Sequence, residues 1–138
     1  MPKITQLAFT FVEDATAPTA TITNPLASDW LSGISGSAIG TASDATSAIS
    51  LIEYRVDSNG DGDYLDGGVE NFTAASGTIS WNATLNIAAL GEGSRSLQVQ
   101  ASDQAGNQFV STRSFGVDLA APNTSVTAPG STNIAFTI

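Results

Sequence analysis

Apolar and polar residues alternate with a period of two in four separate stretches of this chain. Ile52, Tyr54 and Val56 alternate with Glu53 and Arg55, and Ile79, Trp81, Ala83 and Leu85 with Ser80, Asn82 and Thr84. Leu97, Val99 and Ala101 alternate with Gln98, Gln100 and Ser102, and Phe115 and Val117 with Ser114 and Gly116. Side chains of an extended strand point to opposite faces in turn, so this pattern marks strands with one face in a core. Turn-forming residues separate the runs at Ser43–Ser47, Asp57–Gly68, Ala75–Gly77, Gly91–Gly93 and Gln104–Asn107. Short strands broken this often point to a sandwich or barrel. The one helical candidate, Leu85–Leu90, has room for a single turn before Gly91.

Strands are expected at Thr19–Asn24, Ser32–Thr41, Ser50–Asp57, Val69–Phe72, Thr78–Asn86, Arg95–Ser102 and Gln108–Asp118. That number suits an all-β, Ig-like β-sandwich of about seven antiparallel strands with Greek-key connections. The expected core is Ile22, Ile39, Ile52, Tyr54, Val56, Ile79, Trp81, Leu85, Leu90, Leu97, Val99, Phe115 and Val117. The second strand has an ambiguous parity, because Ile34 and Ile39 fall on opposite faces unless a bulge intervenes.

The two ends of the chain repeat one another. Phe11, Asp14, Pro18, Ile22 and Pro25 have counterparts in Phe115, Asp118, Pro122, Val126 and Pro129, each 104 positions later. A constant offset over five positions reads as one junction met twice. Residues 15–119 then form one repeat unit. Residues 1–14 are expected to be the last strand of a preceding unit or a linker. Residues 120–138, with the apolar run Asn133–Ile138, are expected to begin the next unit.

Composition removes several function classes. The net charge is −9, from four basic and thirteen acidic residues. A phosphate backbone calls for a basic footprint, so no nucleic-acid partner is expected. No stretch is apolar enough over about 18 residues to insert in a membrane, and an anionic lipid surface would repel the chain. Cysteine and histidine are both absent. The chain therefore has no disulfide, no thiolate nucleophile and no imidazole to serve as general base or metal ligand. Carboxylates remain, but they concentrate in turns, and no insertion forms a cleft. No catalytic residue is expected, and the chain is read as a non-enzyme.

Four segments together resemble the bacterial Ig-like repeats of large adhesins and biofilm-associated surface proteins. They are Asp14–Pro18, Ile39–Asp44 followed by Ile49, Ile52–Asp57, and Leu97–Asn107. The resemblance covers nearly the whole unit through the order and spacing of these pieces. It implies secretion, tandem arrays with neighbouring Ig-like repeats as partners, and a role at the cell surface as spacer or as ligand-binding module.

The most specific chemical motif begins at Asp57. Asp57, Asn59 and Asp61, followed by Gly62, match the opening of an EF-hand-type calcium loop. Oxygens at the first, third and fifth positions converge as such a loop coils, glycine at the sixth permits the turn, and Asp63 would offer its carbonyl. Gly68 stands where a bidentate Glu belongs, leaving Asp66 or Glu70 to substitute if the loop closes differently. A calcium site at Asp57, Asn59, Asp61, Asp63 and Asp66 would be weak, with a Kd of about 10⁻⁴ to 10⁻³ M. The competing reading is a solvated, metal-free acidic turn. Ig-like topology also gathers Asp14, Asp44 and Asp103 at one end of the sandwich. There they would either hold an interdomain calcium ion or cap their own turns. The same topology puts the Asp57–Asp66 loop at the other end, with Asp118.

The reading that follows is a structural spacer or stalk repeat of an extracellular, adhesin-like bacterial protein, stiffened by weakly bound calcium. The alternative is a carbohydrate- or protein-binding module of a surface protein or secreted hydrolase. Exposed, adjacent Trp30 and Tyr64 would favour that alternative, since Trp81 is expected in the core.

Overall fold

The computed structural model describes residues 1–2 and 13–125. Eight strands order the described residues: β1 (Thr19–Asn24), β2 (Trp30–Leu31), β3 (Gly36–Ser43), β4 (Ile49–Asp57), β5 (Thr73–Ala74), β6 (Ser80–Leu85), β7 (Gly93–Asp103) and β8 (Gln108–Val117). A three-stranded sheet has the order β1-β3-β6, and a five-stranded sheet the order β2-β8-β7-β4-β5. All pairings are antiparallel except β2 with β8, which is parallel. The chain crosses between sheets at β1–β2, β2–β3, β3–β4, β5–β6 and β6–β7, and the order within the sheets is Ig-like Greek-key connectivity. The expected fold class is therefore the observed one.

Two expected strands are built differently. The strand expected over Ser32–Thr41 starts only at Gly36, after a bend at Gly33–Ile34, and runs on to Ser43, while the two-residue β2 precedes it. In place of a strand over Val69–Phe72 there is a 3-10 turn at Gly68–Glu70, and pairing resumes only at Thr73. Glu70 is the cause, because its fully buried carboxylate is tied to the preceding loop. The helical candidate forms one turn, Ile87–Leu90, and buries Ile87 and Leu90.

Ten of the thirteen expected core residues are buried, with Leu97, Val99 and Val117 at 0% exposure. Each such aliphatic side chain contributes about 1.5–3 kcal/mol of burial free energy. Three expectations need correction. Ile39 is 43% exposed, because β3 turns Ala38, Gly40 and Ala42 inward. Small residues are required there: the indole of Trp81 lies against Gly40, where a Cβ would come within 2.4 Å of the ring. Ile79 precedes β6 in a turn and is 69% exposed, while its carbonyl accepts from the Ala42 N–H. Tyr54 is half-buried at the core margin, with its hydroxyl on the Thr84 carbonyl. Alanines at 20, 38, 42, 83 and 101, with Ile49 and Ile87, complete the core.

Register fixes what each end of the sandwich carries. Thr19 pairs with Ser43, Ile49 with Asp103, and Ser102 with Gln108, so the segment entering β1 and the β3–β4 and β7–β8 loops share one end. Asp57 pairs with Ser96 and Gly93 with Val117, which puts the Asp57 loop and the exit from β8 at the other. Of the repeated junction, Asp14, Pro18, Ile22, Pro25, Phe115, Asp118 and Pro122 are described. Phe11, Val126, Pro129 and the run Asn133–Ile138 lie outside the described residues.

Candidate metal centre

Asp14, Asp44 and Asp103 reach one another from three separate segments. One carboxylate oxygen of each lies within 4.8 Å of those of the other two, the only such group of three or more metal-ligating side chains among the described residues. Each aspartate is fixed by local hydrogen bonds. The Asp14 Oδ1 accepts from the Thr16 N–H at 2.9 Å, and the Asp44 Oδ1 accepts from the Thr46 and Ser47 N–H groups at 2.8 Å. Asp103 accepts from the Asn107 backbone at 2.8 Å and from the Asn107 side-chain amide at 2.9 Å. That same Asn107 amide donates to the Asp14 backbone carbonyl at 3.0 Å, which ties the entering segment to the β7–β8 loop.

Of the two sequence readings of this cluster, turn capping is the one these hydrogen bonds show. Turn capping takes one oxygen each of Asp14 and Asp44. The second oxygen of each, Oδ2, is buried and has no hydrogen-bond partner. A buried, unpartnered carboxylate oxygen is costly, and two beside a third carboxylate more so. Backbone N–H groups of Ser47 and Thr46 hold the Asp44 carboxyl below the ordinary carboxylate range. At Asp103 burial works against the charged form, but the Asn107 side chain and backbone outweigh it, and its pKa is lowered too. The charged forms of Asp44 and Asp103 are therefore favoured. Oxygen donors of this kind, close-set and partly free, fit a hard divalent cation such as calcium.

The Asp57–Asp66 loop has a different geometry. Asp57 is buried, and its carboxylate accepts from Gly60 N–H at 2.6 Å and Gly62 N–H at 3.0 Å. Asp61 and Asp63 accept from the N–H groups two residues ahead, at 3.0 and 2.9 Å. Asn59 turns its amide nitrogen between Asp61, at 3.0 Å, and Asp66, at 2.5 Å. That amide stands between two carboxylates as a cation would. Glu70 closes the loop from beneath, one oxygen on Ser58 and the other on the Asp66 N–H. These bonds lower the Glu70 pKa. The nearby charges of Glu70, Asp61 and Asp63, with some desolvation, raise that of Asp66.

Sequence reasoning named all eight aspartate and asparagine positions but not the residues that orient them. Asn107 was visible only as a turn former, and Arg55 only as a polar position on β4. The Arg55 guanidinium lies over the rings of Tyr64 and Phe72, 4.4 and 4.3 Å from their centroids, and its Nε donates to Gln98. Tyr64 also hydrogen-bonds Ser96. These contacts clamp the acidic loop to the five-stranded sheet.

No protein-family model matches the chain, and no curated protein matches it. Solved structures do. The endo-β-1,4-mannanase of Thermotoga petrophila aligns with a TM-score of 0.58 at 12% identity, over 78% of this chain and 21% of that one. An engineered protein aligns with a TM-score of 0.53 at 13% identity, over 74% of this chain and 20% of that one. An SrpA adhesin variant from Streptococcus sanguinis aligns with a TM-score of 0.43 at 16% identity, over 78% and 57%. The chain thus spans only about a fifth of the first two, and what it shares with them is the fold. No helix among the described residues is long and apolar enough to cross a membrane.

Proposed function

We propose that this chain is a spacer repeat of an extracellular, adhesin-like bacterial protein, and that calcium held by Asp14, Asp44 and Asp103 stiffens its entry segment. The observation that carries the reading is the pair of buried, unpartnered oxygens of Asp14 and Asp44 beside Asp103. A cation there joins the segment leading into β1 to the loops of both sheets. It would convert a flexible joint into a fixed one without any chemistry. The Asp57–Asp66 loop is a second candidate for calcium. Support is stronger at the first cluster, because the loop carboxylates are largely satisfied by backbone N–H groups and by Asn59. Secretion and tandem neighbours rest on the family resemblance. The fold shared with about a fifth of a mannanase is compatible with such a module.

Calorimetric calcium titration of residues 1–138, with melts in calcium and in EDTA, tests the proposal. With a Kd of about 0.1 mM, 1 mM calcium would stabilise the fold by roughly 1.4 kcal/mol. The expected result is a calcium-dependent rise in Tm that Asp44→Asn abolishes and Asp61→Asn leaves. Equal melts in calcium and EDTA, with no heat of binding, would refute the calcium reading. Loss of the response in Asp61→Asn alone would move the site to the Asp57 loop.

A further inference from the structure

Trp30 is 67% exposed, yet it is held in place. One face of its indole rests on Gly116, where a Cβ would come within 2.5 Å of the ring. The backbone around it is pinned on both sides: the Gly116 N–H donates to the Asp29 carbonyl at 2.6 Å, and the Asp118 N–H to the Leu31 carbonyl at 2.9 Å. The turn before it is closed by Asp29, whose carboxylate accepts from the Leu26 N–H at 2.8 Å. Ser28 in that turn has a φ of 70°, a left-handed conformation that a serine adopts at a cost. The chain thus fixes a large aromatic side chain with one face turned to solvent.

Beside the indole runs a shallow groove of about 340 Å³, lined by Ser28, Trp30, Ser94, Ser114, Phe115 and Gly116. Phe115 is buried, and three of the six lining residues are serines. Ser94 pairs with Gly116 and Ser96 with Ser114 across β7 and β8, and the Tyr64 hydroxyl meets Ser96. Tyr64 therefore flanks the serine row on the side away from Trp30. The chain has thirteen acidic side chains, yet among the described residues no charged side chain lines this groove. That charge pattern matches an uncharged ligand. Six residues line the groove, far fewer than the roughly 20–30 a side of a stable protein interface.

We infer that Trp30, with Ser28, Ser94 and Ser114, forms a binding subsite for a neutral carbohydrate chain. The apolar face of a sugar ring stacks on the free face of the indole, and its hydroxyls exchange hydrogen bonds with the serines. The subsite is separate from the aspartate cluster and needs no cation.

Native gels cast with galactomannan, xyloglucan or hydroxyethylcellulose, and with acidic polygalacturonate for comparison, test this on residues 1–138. At least one neutral polymer is expected to retard the chain, equally in calcium and in EDTA. Trp30→Ala and Ser114→Lys are each expected to weaken that retardation about tenfold, the scale of a lost aromatic contact. Melts of each variant check that the fold is kept. If Trp30→Ala loosens β2 and melts early, Ser114→Lys decides, since it changes only the groove. The inference is overturned if none of the three neutral polymers retards the chain, if polygalacturonate retards it as strongly, or if a folded variant binds as the parent does. Retardation that needs calcium would also overturn it. Failure here leaves the calcium proposal standing, because the two are read by different assays.

Discussion

Gly40 offers a sharp test of how tightly β1, β3 and the indole from β6 are packed in the three-stranded sheet. Replacing it with alanine places a Cβ 1.9 Å from the Thr21 carbonyl oxygen and 2.4 and 2.7 Å from two carbons of the Trp81 indole. Relief to ordinary contact requires movement of more than 1 Å, and the first obstacle is backbone of β1, which cannot rotate away. Moving β1 that far breaks its ladder with β3 around the Ile22–Gly40 pair. Overpacking usually costs 1–3 kcal/mol, and a clash with backbone belongs at or above the top of that range, so about 3–4 kcal/mol is expected. For a unit of about 100 residues this lowers Tm by roughly 12 °C or more. Thermal and urea melts followed by tryptophan fluorescence measure it, with Thr41→Ala on the outward face of β3 as the mild control. Adding Trp81→Leu to Gly40→Ala should not restore stability, because the Thr21 carbonyl remains in the way. A Gly40→Ala chain melting within a few degrees of the parent would refute the packing argument.

Other perturbations address the charged ends. Asp66→Asn should raise Tm in EDTA, because Glu70, Asp61 and Asp63 penalise its charge; in calcium the gain should shrink if the loop binds the ion. The folded-state pKa values of Asp44, Glu70 and Asp103 are depressed. Their stabilisation is therefore complete above the unfolded carboxylate range and is lost as pH falls through the folded values, so metal-free melts should worsen steadily from pH 5 towards pH 2. Glu70→Gln should lower Tm and speed amide exchange at Ser58 or Asp66, since the amide nitrogen that replaces one carboxylate oxygen cannot accept an N–H; unchanged exchange at both would count against Glu70 as the loop anchor. Arg55→Met should cost about 1–2 kcal/mol for two lost ring contacts and raise exchange across Tyr64 while leaving β7 protected.

The sandwich was legible because period-two alternation survives wherever one face of a strand meets the core. It failed where the interior demands small side chains. Ile39 attracts attention as the bulkiest residue of its strand, yet Ala38, Gly40 and Ala42 face inward because Trp81 occupies the space. Nothing within β3 announces an indole that arrives from β6, some forty residues later. The 3-10 turn at Glu70 was hidden for a similar reason: a lone glutamate beside Val69 reads as a strand edge until its partners Ser58 and Asp66 are known. Asp14, Asp44 and Asp103 could be grouped from topology alone. Their unpartnered oxygens could not, since burial of single atoms depends on how three loops close. The exposed Trp30 was foreseeable from its turn-rich surroundings, but the Gly116 beneath it, far along the chain, was not.

The opposed placement of the two chain ends has a mechanical meaning. Residue 18 enters β1 at the aspartate end, and residue 118 leaves β8 at the other. Tension applied between them runs along the strands. The β1–β3 ladder is then loaded in shear, with its hydrogen bonds sharing the force, instead of being opened one at a time like a zipper. The hydroxyls of Thr19, Thr21 and Thr23, each bonded to a backbone carbonyl of β3, add a second row of links in the same direction. A six-residue strand that would peel easily from its end is thereby set to resist pulling from that same end.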